Sequence, residues 1–555
     1  MNNEIKAVIA HNGKEDVQVL PVGTSCEFIV SKFKDVSSPV VAVKVNKEIL
    51  PLSSQLEVNS LLEPVLLEST EGAAVYRCSL AFLLHIAAEK LFPDRSLHIG
   101  HSMGMGYYYT FPSGKLDETE IEQLQSKMHL LVKEDLPIIC RYMAYAEAME
   151  TFTKNHQDDT ALLLDERSES KVMVNECSGS VDLFISPLVN RTGLLDVFEL
   201  MPYEDGFILR FPSVGKINQL GPFEDNPVIF SVYNEYKKWG RIVGVHSVGT
   251  LNRLVSERSI REYIRIAEAF QEKKLYEIAD QIYEKKDVVK TVLIAGPSSS
   301  GKTTSAKRLS LALKVMGIEP IAIGLDDYYL GTDKTPRDEK GEPDFECLEA
   351  LDVPYLNEQL LALLAGEEVT LPAFDFKSGS RKETGGKKIR LDRRTMLIIE
   401  GIHGLNDALT PQIKRETKFK LYVSALTQLN LDDHNRIPTS DNRLLRRMVR
   451  DYQFRGAKAA RTLQMWPNVQ HGERKHIFPF QNTADAAFNS ALDYELAVLK
   501  VYAEPLLRSV KPGMKEYSET SRLLSFLENF APIPPQYVPG TSILREFIGE
   551  SEFKY

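Results

Sequence analysis

The sequence has no apolar segment long enough to cross a membrane, and its first residues contain no apolar run typical of a signal peptide. It also has no low-complexity tract and no tandem repeat. Its five cysteines are scattered, form no C-x-x-C pair and are odd in number, which favours small buried thiols in a reducing compartment. We therefore expect a cytoplasmic protein without membrane association.

The overall composition is that of an ordinary globular protein. Hydrophobic residues make up 43% of the chain and charged residues 26%, with a formal net charge of -10. This negative net charge argues against a protein that binds nucleic acid over its whole surface, although a local basic patch remains possible. Because 555 residues are too many for one core, we expect two to four domains.

The apolar patterns change along the chain and predict an α/β protein. Short strand-like runs come first, and the helical spacing of AFLLHIAAEKLF then begins a mixed region. Strand-like runs alternate with helices in the C-terminal half, which predicts a parallel sheet covered by helices on both faces. The predicted divisions are a β-rich domain at 1–65, an α+β domain at 70–215, a connector with a long amphipathic helix at 216–287, an α/β domain at 288–510 and a tail at 511–555.

The segment GPSSSGKTT at 296–304 satisfies the phosphate-binding pattern G-x-x-x-x-G-K-[ST], between a strand-like run and a helical one. Gly296 and Gly301 allow backbone N–H groups to turn toward a phosphate, at the positive end of the next helix. Lys302 can charge-stabilise the β- and γ-phosphates, and Thr303 can offer a hydroxyl to Mg²⁺. The alternative is a Ser/Gly-rich surface turn. The predicted ATP-binding residues are Gly296, Ser298, Ser299, Ser300, Gly301, Lys302, Thr303 and Thr304.

Two further strand-like runs end in carboxylates. TMLIIEG places Glu400 at the carboxyl end of a buried strand, where it can hold Mg²⁺ directly or through water. IAIGLDDYY brings Asp326 and Asp327 to the same edge, and because side chains alternate along a strand, only one is expected to face the substrate as a base. The alternatives are a solvent-facing turn for Glu400 and a capping role for the aspartates.

Basic residues are concentrated in two segments. NRLLRRMVRD is predicted to be a helix with Arg443, Arg447 and Arg450 on one face, where guanidinium groups could fork onto phosphate oxygens. The alternative is a solvated basic face. The run KSGSRKETGGKKIRLDRR at 377–394 could touch RNA or polyphosphate, but we favour a hairpin that turns at Gly385-Gly386.

Five motifs together resemble the uridine kinase and phosphoribulokinase family in order and approximate spacing, over about 290–500: GPSSSGKTT, LDDYY, LPAFDFKSGSRK, LIIEGIHGL and NRLLRRMVRDYQFRG. The resemblance implies a kinase that uses ATP and Mg²⁺. It also implies roles for individual residues: Asp326 as general base, Tyr329 as a substrate contact, Glu346 in the ribose-binding acidic stretch in place of the usual aspartate, and Arg447, Arg450 and Arg455 as lid arginines.

The likeness is incomplete around the predicted acceptor. Phe374 and Gly379 stand where pyrimidine nucleoside kinases of this family carry a tyrosine and a histidine, and Ala457 stands at one lid-arginine position. Phe374 and Arg381 are still predicted to face the substrate. Because buried polar pairing is what rejects wrong substrates, the base specificity is left open. The acceptor is therefore expected to be a uridine- or cytidine-like nucleoside, with a phosphosugar or another small alcohol as the alternative.

The N-terminal half carries a second resemblance. Residues 1–65 resemble a TGS domain, which is a β-grasp module, and 70–215 resemble the editing-type second domain of threonyl-tRNA synthetases through AFLLHIAAEKLFPD, HIGHSMGMGYYYTF and SVDLFISPL. Editing hydrolysis is expected to be absent, because the residues at its four motif positions cannot build a metal site or a general base. Those residues are Cys78, Phe82, Phe184 and Leu188.

Several questions stay open at the level of sequence. A zinc site built from His85, His98 and His101 is a lesser alternative to ordinary core or surface histidines. The synthetase-like half also allows a different class of function, an RNA-associated regulator whose phosphate-binding loop acts as a nucleotide switch. The binding partners expected under these hypotheses are a nucleoside-like small molecule, tRNA or another RNA, and a second copy of the chain.

Overall fold

A computed structural model describes most of the chain. The described residues are 4–30, 32–33, 36–167, 169–331, 333–337, 341, 343–375, 380–381 and 386–554. Within these ranges no helix has both the length and the apolar character that a membrane crossing requires.

The first domain has the β-grasp arrangement. Its elements are β1 (Glu4–His11), β2 (Lys14–Pro21), β3 (Thr24–Ser25), α1 (Cys26–Val30), β4 (Val40–Val45), β5 (Glu48–Leu50), β6 (Gln55–Leu56) and β7 (Ser60–Leu66). The main sheet has the order β2-β1-β7-β4-β5, in which β1 and β7 are parallel and the other neighbours are antiparallel. Because alternate side chains of β1 face the core, Ile5, Ala7 and Ile9 are buried.

The second domain is α+β, with two antiparallel sheets of order β10-β11-β12 and β13-β14-β9-β8. Its long first helix is buried along most of its length. The elements are α2 (Thr70–Leu91), β8 (His98–Ser102), β9 (Gly106–Thr110), α3 (Glu118–Glu134), β10 (Ile139–Ala144), α4 (Tyr145–Lys154), α5 (Asp158–Arg167), β11 (Lys171–Cys177), β12 (Ser180–Asp182), β13 (Glu199–Tyr203) and β14 (Gly206–Arg210).

Three helices follow: α6 (Pro227–Ile242), α7 (Val248–Ser256) and α8 (Ile260–Glu284). The predicted amphipathic helix is α8, and its apolar face is buried as expected. That face belongs to the same hydrophobic core as the first strand and helix of the C-terminal domain, so α8 packs on that domain rather than running free between two domains.

The C-terminal domain is built on a five-stranded parallel sheet. Its elements are β15 (Thr291–Ala295), α9 (Lys302–Val315), β16 (Glu319–Gly324), α10 (Val353–Leu364), β17 (Val369–Thr370), β18 (Phe374–Asp375), β19 (Ser380–Arg381), β20 (Lys388–Ile389), β21 (Thr395–Glu400), β22 (Lys418–Ser424), α11 (Thr439–Arg455), α12 (Ala459–His476), β23 (Ala486–Asn489) and α13 (Glu495–Arg508). The sheet has the order β16-β21-β15-β22-β23, and all neighbours are parallel.

Alternate residues of β15 enter two different cores. Val292 and Ile294 pack with α8 and α9, whereas Leu293 packs with α10 on the opposite face. This confirms the predicted parallel sheet with helices on both faces. The carboxyl ends of β15, β16 and β21 lie side by side, which is where ligands bind in open α/β sheets.

The C-terminal segment does not stay extended. It forms α14 (Tyr517–Glu528) and α15 (Arg545–Ile548), and the side chains of Ile543, Leu544 and Phe547 are buried in the core of the C-terminal domain. In the run SVDLFISPLV, only Ser180–Asp182 form a strand. It ends at Asp182, whose carboxylate accepts a hydrogen bond from the N–H of Leu183 and so turns the chain away from the sheet.

Candidate active site

The phosphate-binding loop joins β15 to α9, and its shape depends on two glycines. A Cβ atom on Gly296 would lie 1.9 Å from the carbonyl oxygen of Val423, so only glycine allows this close approach. Gly301 has a φ of +79°, a left-handed conformation that side chains disfavour. The chain thus folds over the start of α9, where backbone N–H groups and the positive end of the helix favour an anion.

Lys302 and Thr303 are the first two residues of α9. The Lys302 ammonium donates hydrogen bonds to the carbonyl oxygens of Gly296 (2.9 Å) and Pro297 (3.0 Å), and therefore lies over the loop. The Thr303 hydroxyl donates to Oε1 of Glu400 at 2.9 Å. Glu400 ends β21, as predicted. A hydroxyl beside a carboxylate is a donor pair suited to Mg²⁺, so the loop, Lys302 and this pair fit a metal-bound triphosphate.

The charges of Lys302, Asp326 and Glu400 act on one another. Burial lowers the pKa of Lys302, while Glu400 and Asp326 favour its charged form. Burial raises the pKa of Glu400 and of Asp326, and in each case the positive charge of Lys302 opposes the rise. The ammonium and the two carboxylates therefore surround one space at the carboxyl edge of the sheet.

The two aspartates do not lie on a strand, contrary to the prediction. The strand β16 ends at Gly324, and Leu325–Tyr328 form a turn of 3₁₀-helix, so the alternation argument does not apply. Asp327 accepts a hydrogen bond from the N–H of Phe374 at 3.1 Å. Across the described residues we find no hydrogen-bond partner for the carboxylate of Asp326. Asp326 is thus the aspartate available to a substrate.

The three predicted lid arginines gather on one carboxylate. Arg447, Arg450 and Arg455 place guanidinium nitrogens 3.3, 3.1 and 3.4 Å from oxygens of Asp451. Arg447 also donates to the hydroxyl of Ser298 at 2.7 Å, which ties the cluster to the phosphate-binding loop. The charges of Arg455 and Arg450 also favour the ionised form of Asp326. The cluster therefore borders both the loop and the candidate base.

Arg443 shares the helix but has a different position. Its side chain is only 4% exposed and donates two hydrogen bonds to Glu473, at 2.6 and 2.9 Å. It also donates to the carbonyl oxygen of Ser298 at 3.1 Å. Since a buried, bidentate pair is held in one geometry, Arg443 supports the loop from beneath. Arg446 is likewise buried and pairs with Glu495.

Two carboxylates that sequence reasoning missed bind the loop directly. Glu473, on α12, accepts a hydrogen bond from the N–H of Ser298 at 2.9 Å. Glu546, in α15, accepts from the N–H of Thr304 at 3.2 Å and from its hydroxyl at 2.6 Å. Both N–H groups are of the kind that a phosphate would use, so an incoming phosphate competes with these side chains.

Aromatic rings line the space beyond Asp326. The ring of Tyr329 lies 5.9 Å from each of the rings of Phe345 and Phe374, and its hydroxyl donates to the carbonyl oxygen of Phe345 at 3.1 Å. Burial, with the negative charge of Glu473, raises the pKa of Glu346 to about 7. Burial, with the charges of Asp326 and Glu346, raises the pKa of Tyr329, so Glu346 lies near the three rings. A substrate-binding role for Tyr329, Glu346 and Phe374 stays a prediction.

The basic segment after Phe374 is only partly described. β17 pairs antiparallel with β20, and β18 pairs antiparallel with β19, so the ends of the segment are joined as in a hairpin. Gly379, the predicted turn residue Gly385 and the side chain of Arg381 lie outside the described residues.

The four positions predicted to correspond to an editing motif are largely apolar in the second domain. Phe82, Phe184 and Leu188 are buried in one hydrophobic core, and the rings of the two phenylalanines lie 5.6 Å apart. Cys78 lies against the same core, and burial raises its pKa, which keeps the thiol protonated.

The three histidines considered for zinc do not gather. His98 pairs with Asp433 at 3.1 Å, and His101 stacks on Tyr233 with ring centroids 5.1 Å apart. His85 instead lies against His434, a residue of the C-terminal domain. The lesser alternative, one zinc site built from these three histidines, is therefore not found among the described residues.

Comparison with known proteins gives two separate matches. Residues 291–497 match the Phosphoribulokinase / Uridine kinase family. Part of the chain is 32% identical over 188 residues to a threonine–tRNA ligase from Desulforamulus reducens, which covers 33% of this chain and 30% of that protein. A second threonine–tRNA ligase, from Thermoplasma volcanium, is 32% identical over 164 residues, covering 29% of this chain and 24% of that protein. The chain thus spans less than a third of the length of these relatives.

Solved structures are similar only at a low level. A protein described as a "Possible Uridine Kinase" from Bacillus stearothermophilus is 21% identical, covers 38% of this chain and all of that one, and has a TM-score of 0.24. D-glycerate 3-kinase from Cryptococcus neoformans is 15% identical, covers 46% of this chain and 87% of that one, and has a TM-score of 0.22. Such scores carry no argument. On the family match, the chain contains a C-terminal domain of the phosphoribulokinase and uridine kinase family, behind an N-terminal region that matches threonyl-tRNA synthetases.

Proposed function

We propose that the chain transfers the γ-phosphoryl group of MgATP to the 5′-hydroxyl of a nucleoside-like molecule. The observation that carries the proposal is the contact of Thr303 with Glu400 beside Lys302, with Asp326 unpaired across the same space. The match of residues 291–497 to a kinase family supports the same chemistry.

Each side chain has a role in this transfer. Lys302 and the arginines on Asp451 stabilise the charge that spreads over the moving phosphoryl group. Thr303 and Glu400 would hold Mg²⁺, which neutralises charge on the β- and γ-phosphates when it is bound. Asp326 accepts the proton of the acceptor hydroxyl as the new oxygen–phosphorus bond forms and the bond to the β-phosphate oxygen breaks, releasing ADP.

The surroundings of Asp326 favour a nucleoside over a phosphosugar. Tyr329, Phe345 and Phe374 offer flat apolar surfaces on which a base can stack. Glu346, with a pKa of about 7, can pair with ribose hydroxyls either as donor or as acceptor near neutral pH.

The test is an acceptor panel with ATP labelled on the γ-phosphate. Nucleosides, phosphosugars and small alcohols are compared at equal concentration, with and without tRNA, and Asp326→Asn serves as the matched control. We expect label to move to a nucleoside with the wild-type chain and not with the variant. Transfer of label to a phosphosugar alone would show that the acceptor is a phosphosugar and not a nucleoside. ATP hydrolysis that requires tRNA and labels no small molecule would favour a nucleotide switch over a kinase.

A further inference from the structure

His85, Asp182 and His434 come together where the two halves of the chain meet. His85 lies on α2, Asp182 ends β12, and His434 lies in the loop between β22 and α11. Their exposed fractions are 6%, 0% and 6%. One potential ligand atom from each residue lies within 4.8 Å of the other two. None of the three belongs to the phosphoryl-transfer site.

Asp182 is held firmly and already binds one of the histidines. Its Oδ2 lies 2.8 Å from Nδ1 of His434. Its Oδ1 accepts hydrogen bonds from the side-chain amide of Gln157 at 3.1 Å and from the N–H of Leu183 at 2.7 Å. Such outer bonds orient a carboxylate in the way that metal sites require.

His85 lies against this pair. Its ring centroid lies 4.2 Å from that of His434, and within the described residues its buried Nε2 has no hydrogen-bond partner. An unsatisfied buried polar group costs about 1–3 kcal/mol. Within the part of the chain that the structure describes, His85 thus offers a buried nitrogen without a hydrogen bond, beside a carboxylate and a second imidazole.

The donor set has a definite chemical preference. Two imidazoles and one carboxylate suit Zn²⁺, and also Co²⁺ and Fe²⁺. Around tetrahedral Zn²⁺, ligand atoms stand about 3.4 Å apart, as follows from bond lengths of about 2.0–2.2 Å. The ligand atoms, which lie within 4.8 Å of one another, would have to move closer together to reach that spacing.

We propose that His85, Asp182 and His434 bind one divalent transition-metal ion, with Zn²⁺ as the best match, and that this ion joins the two halves of the chain. Because all three ligands are buried, the ion has a linking role rather than a catalytic one.

The loop that carries His434 supports this linking role. It is already attached to the second domain by hydrogen bonds on both sides of the proposed site. These are Asn430 Nδ2 to the carbonyl oxygen of Ile99 (2.8 Å), the N–H of Ile99 to the carbonyl oxygen of Asp433 (2.8 Å), and Asn435 Nδ2 to the carbonyl oxygen of Leu183 (2.6 Å). The ion would complete an existing junction, and needs no rearrangement of the backbone.

The test uses the full chain, stripped with a chelator, dialysed and titrated with ZnCl₂ in a calorimeter. We expect one Zn²⁺ per chain, and a loss of affinity of at least ~100-fold in His85→Gln and in His434→Gln. The control is His129→Gln, which changes an exposed histidine on α3 and should bind Zn²⁺ like the wild type. Zn²⁺ should also raise the unfolding temperature of the wild type and of the control, but not of the other two variants.

Two results would overturn the proposal: no stoichiometric uptake by the folded wild type, or uptake unchanged in both histidine variants. If the glutamine variants do not fold, X-ray absorption of the Zn²⁺-loaded wild type decides. A first shell of two imidazoles with oxygen supports the site, and a sulfur-containing first shell overturns it. The outcome is independent of the kinase assay, since no residue of the phosphate-binding loop takes part.

Discussion

The two halves of the chain differ in what they keep at the positions where chemistry would take place. In the C-terminal domain, Lys302, Asp326 and Glu400 face one space and shift one another's pKa. In the synthetase-like domain, Phe82 and Phe184 fill the corresponding motif positions and pack in a hydrophobic core. The described residues at the first set of positions can hold an anion and accept a proton, whereas the phenylalanines at the second set can do neither. A fold is therefore weaker evidence of activity than the residues at its site.

The largest effect should come from Lys302. Lys302→Ala removes the charge over the phosphate-binding loop, so we expect kcat/KM for ATP-dependent transfer to fall by at least ~10³-fold. Steady-state kinetics measures this, with circular dichroism to show that the fold is kept. If the variant kept activity within tenfold of the wild type, Lys302 would not contribute to catalysis. The phosphate-binding loop would then be no more active than the apolar positions of the second domain.

Asp326→Asn should lower kcat by about 10²–10⁴-fold while leaving ATP binding largely intact, because it removes the base and spares the loop. The wild type should also lose activity as the pH falls through the pKa of Asp326, which burial raises, so the acid limb should stand above the range of a free aspartate. A pH–rate profile checks this. An acid limb at the ordinary aspartate pKa would assign the base to another group.

Phe82→His tests the other half. It places a polar ring in a closed hydrophobic core, so we expect the free energy of unfolding to fall by about 3–5 kcal/mol. Phe82→Leu, which stays apolar, is the matched control and should cost much less. Denaturant unfolding measures both variants. Equal stability of the histidine variant and the wild type would show that the former editing site is still open to polar groups.

The smallest effect should come from the C-terminal segment. Glu546→Gln removes a negative charge from the N–H of Thr304, where a phosphate would bind, so we expect the KM for ATP to fall about 2–5-fold. Glu552→Gln, a substitution in the same segment, is the control. An unchanged KM in both variants would show that displacing Glu546 from the loop costs no free energy when ATP binds. A higher KM in Glu546→Gln would show that Glu546 contributes to nucleotide binding.

Residues that lie together in the sequence could be predicted from it. The phosphate-binding loop, Glu400 at the end of β21 and the arginines of α11 are each set by a local pattern, and the structure places them at one edge of the sheet. The role of Asp326 as the base stays a prediction. The strand-alternation argument for it does not hold, because both aspartates lie in a 3₁₀ turn and Asp327 accepts a hydrogen bond from the N–H of Phe374.

Partners that are distant in sequence could not be predicted. Glu473 and Glu546 reach the loop only through the packing of α12 and α15, and no motif marks either of them. The neighbour of His85 could not be predicted for the same reason. His85 lies against His434, which is 349 residues away in the sequence and is brought to it by the contact between two domains.

The attachment of the loop before α11 bears on how this protein can be divided. The arginine-bearing helix starts at Thr439, only a few residues after Asp433 and Asn435, whose backbone and amide groups are held by Ile99 and Leu183. A fragment that begins after residue 215 would lack Ile99 and Leu183, so these groups would be exposed to solvent. The start of the arginine-bearing helix would then no longer be held in a fixed position. Excised versions of the C-terminal half should therefore underestimate what the intact polypeptide can do.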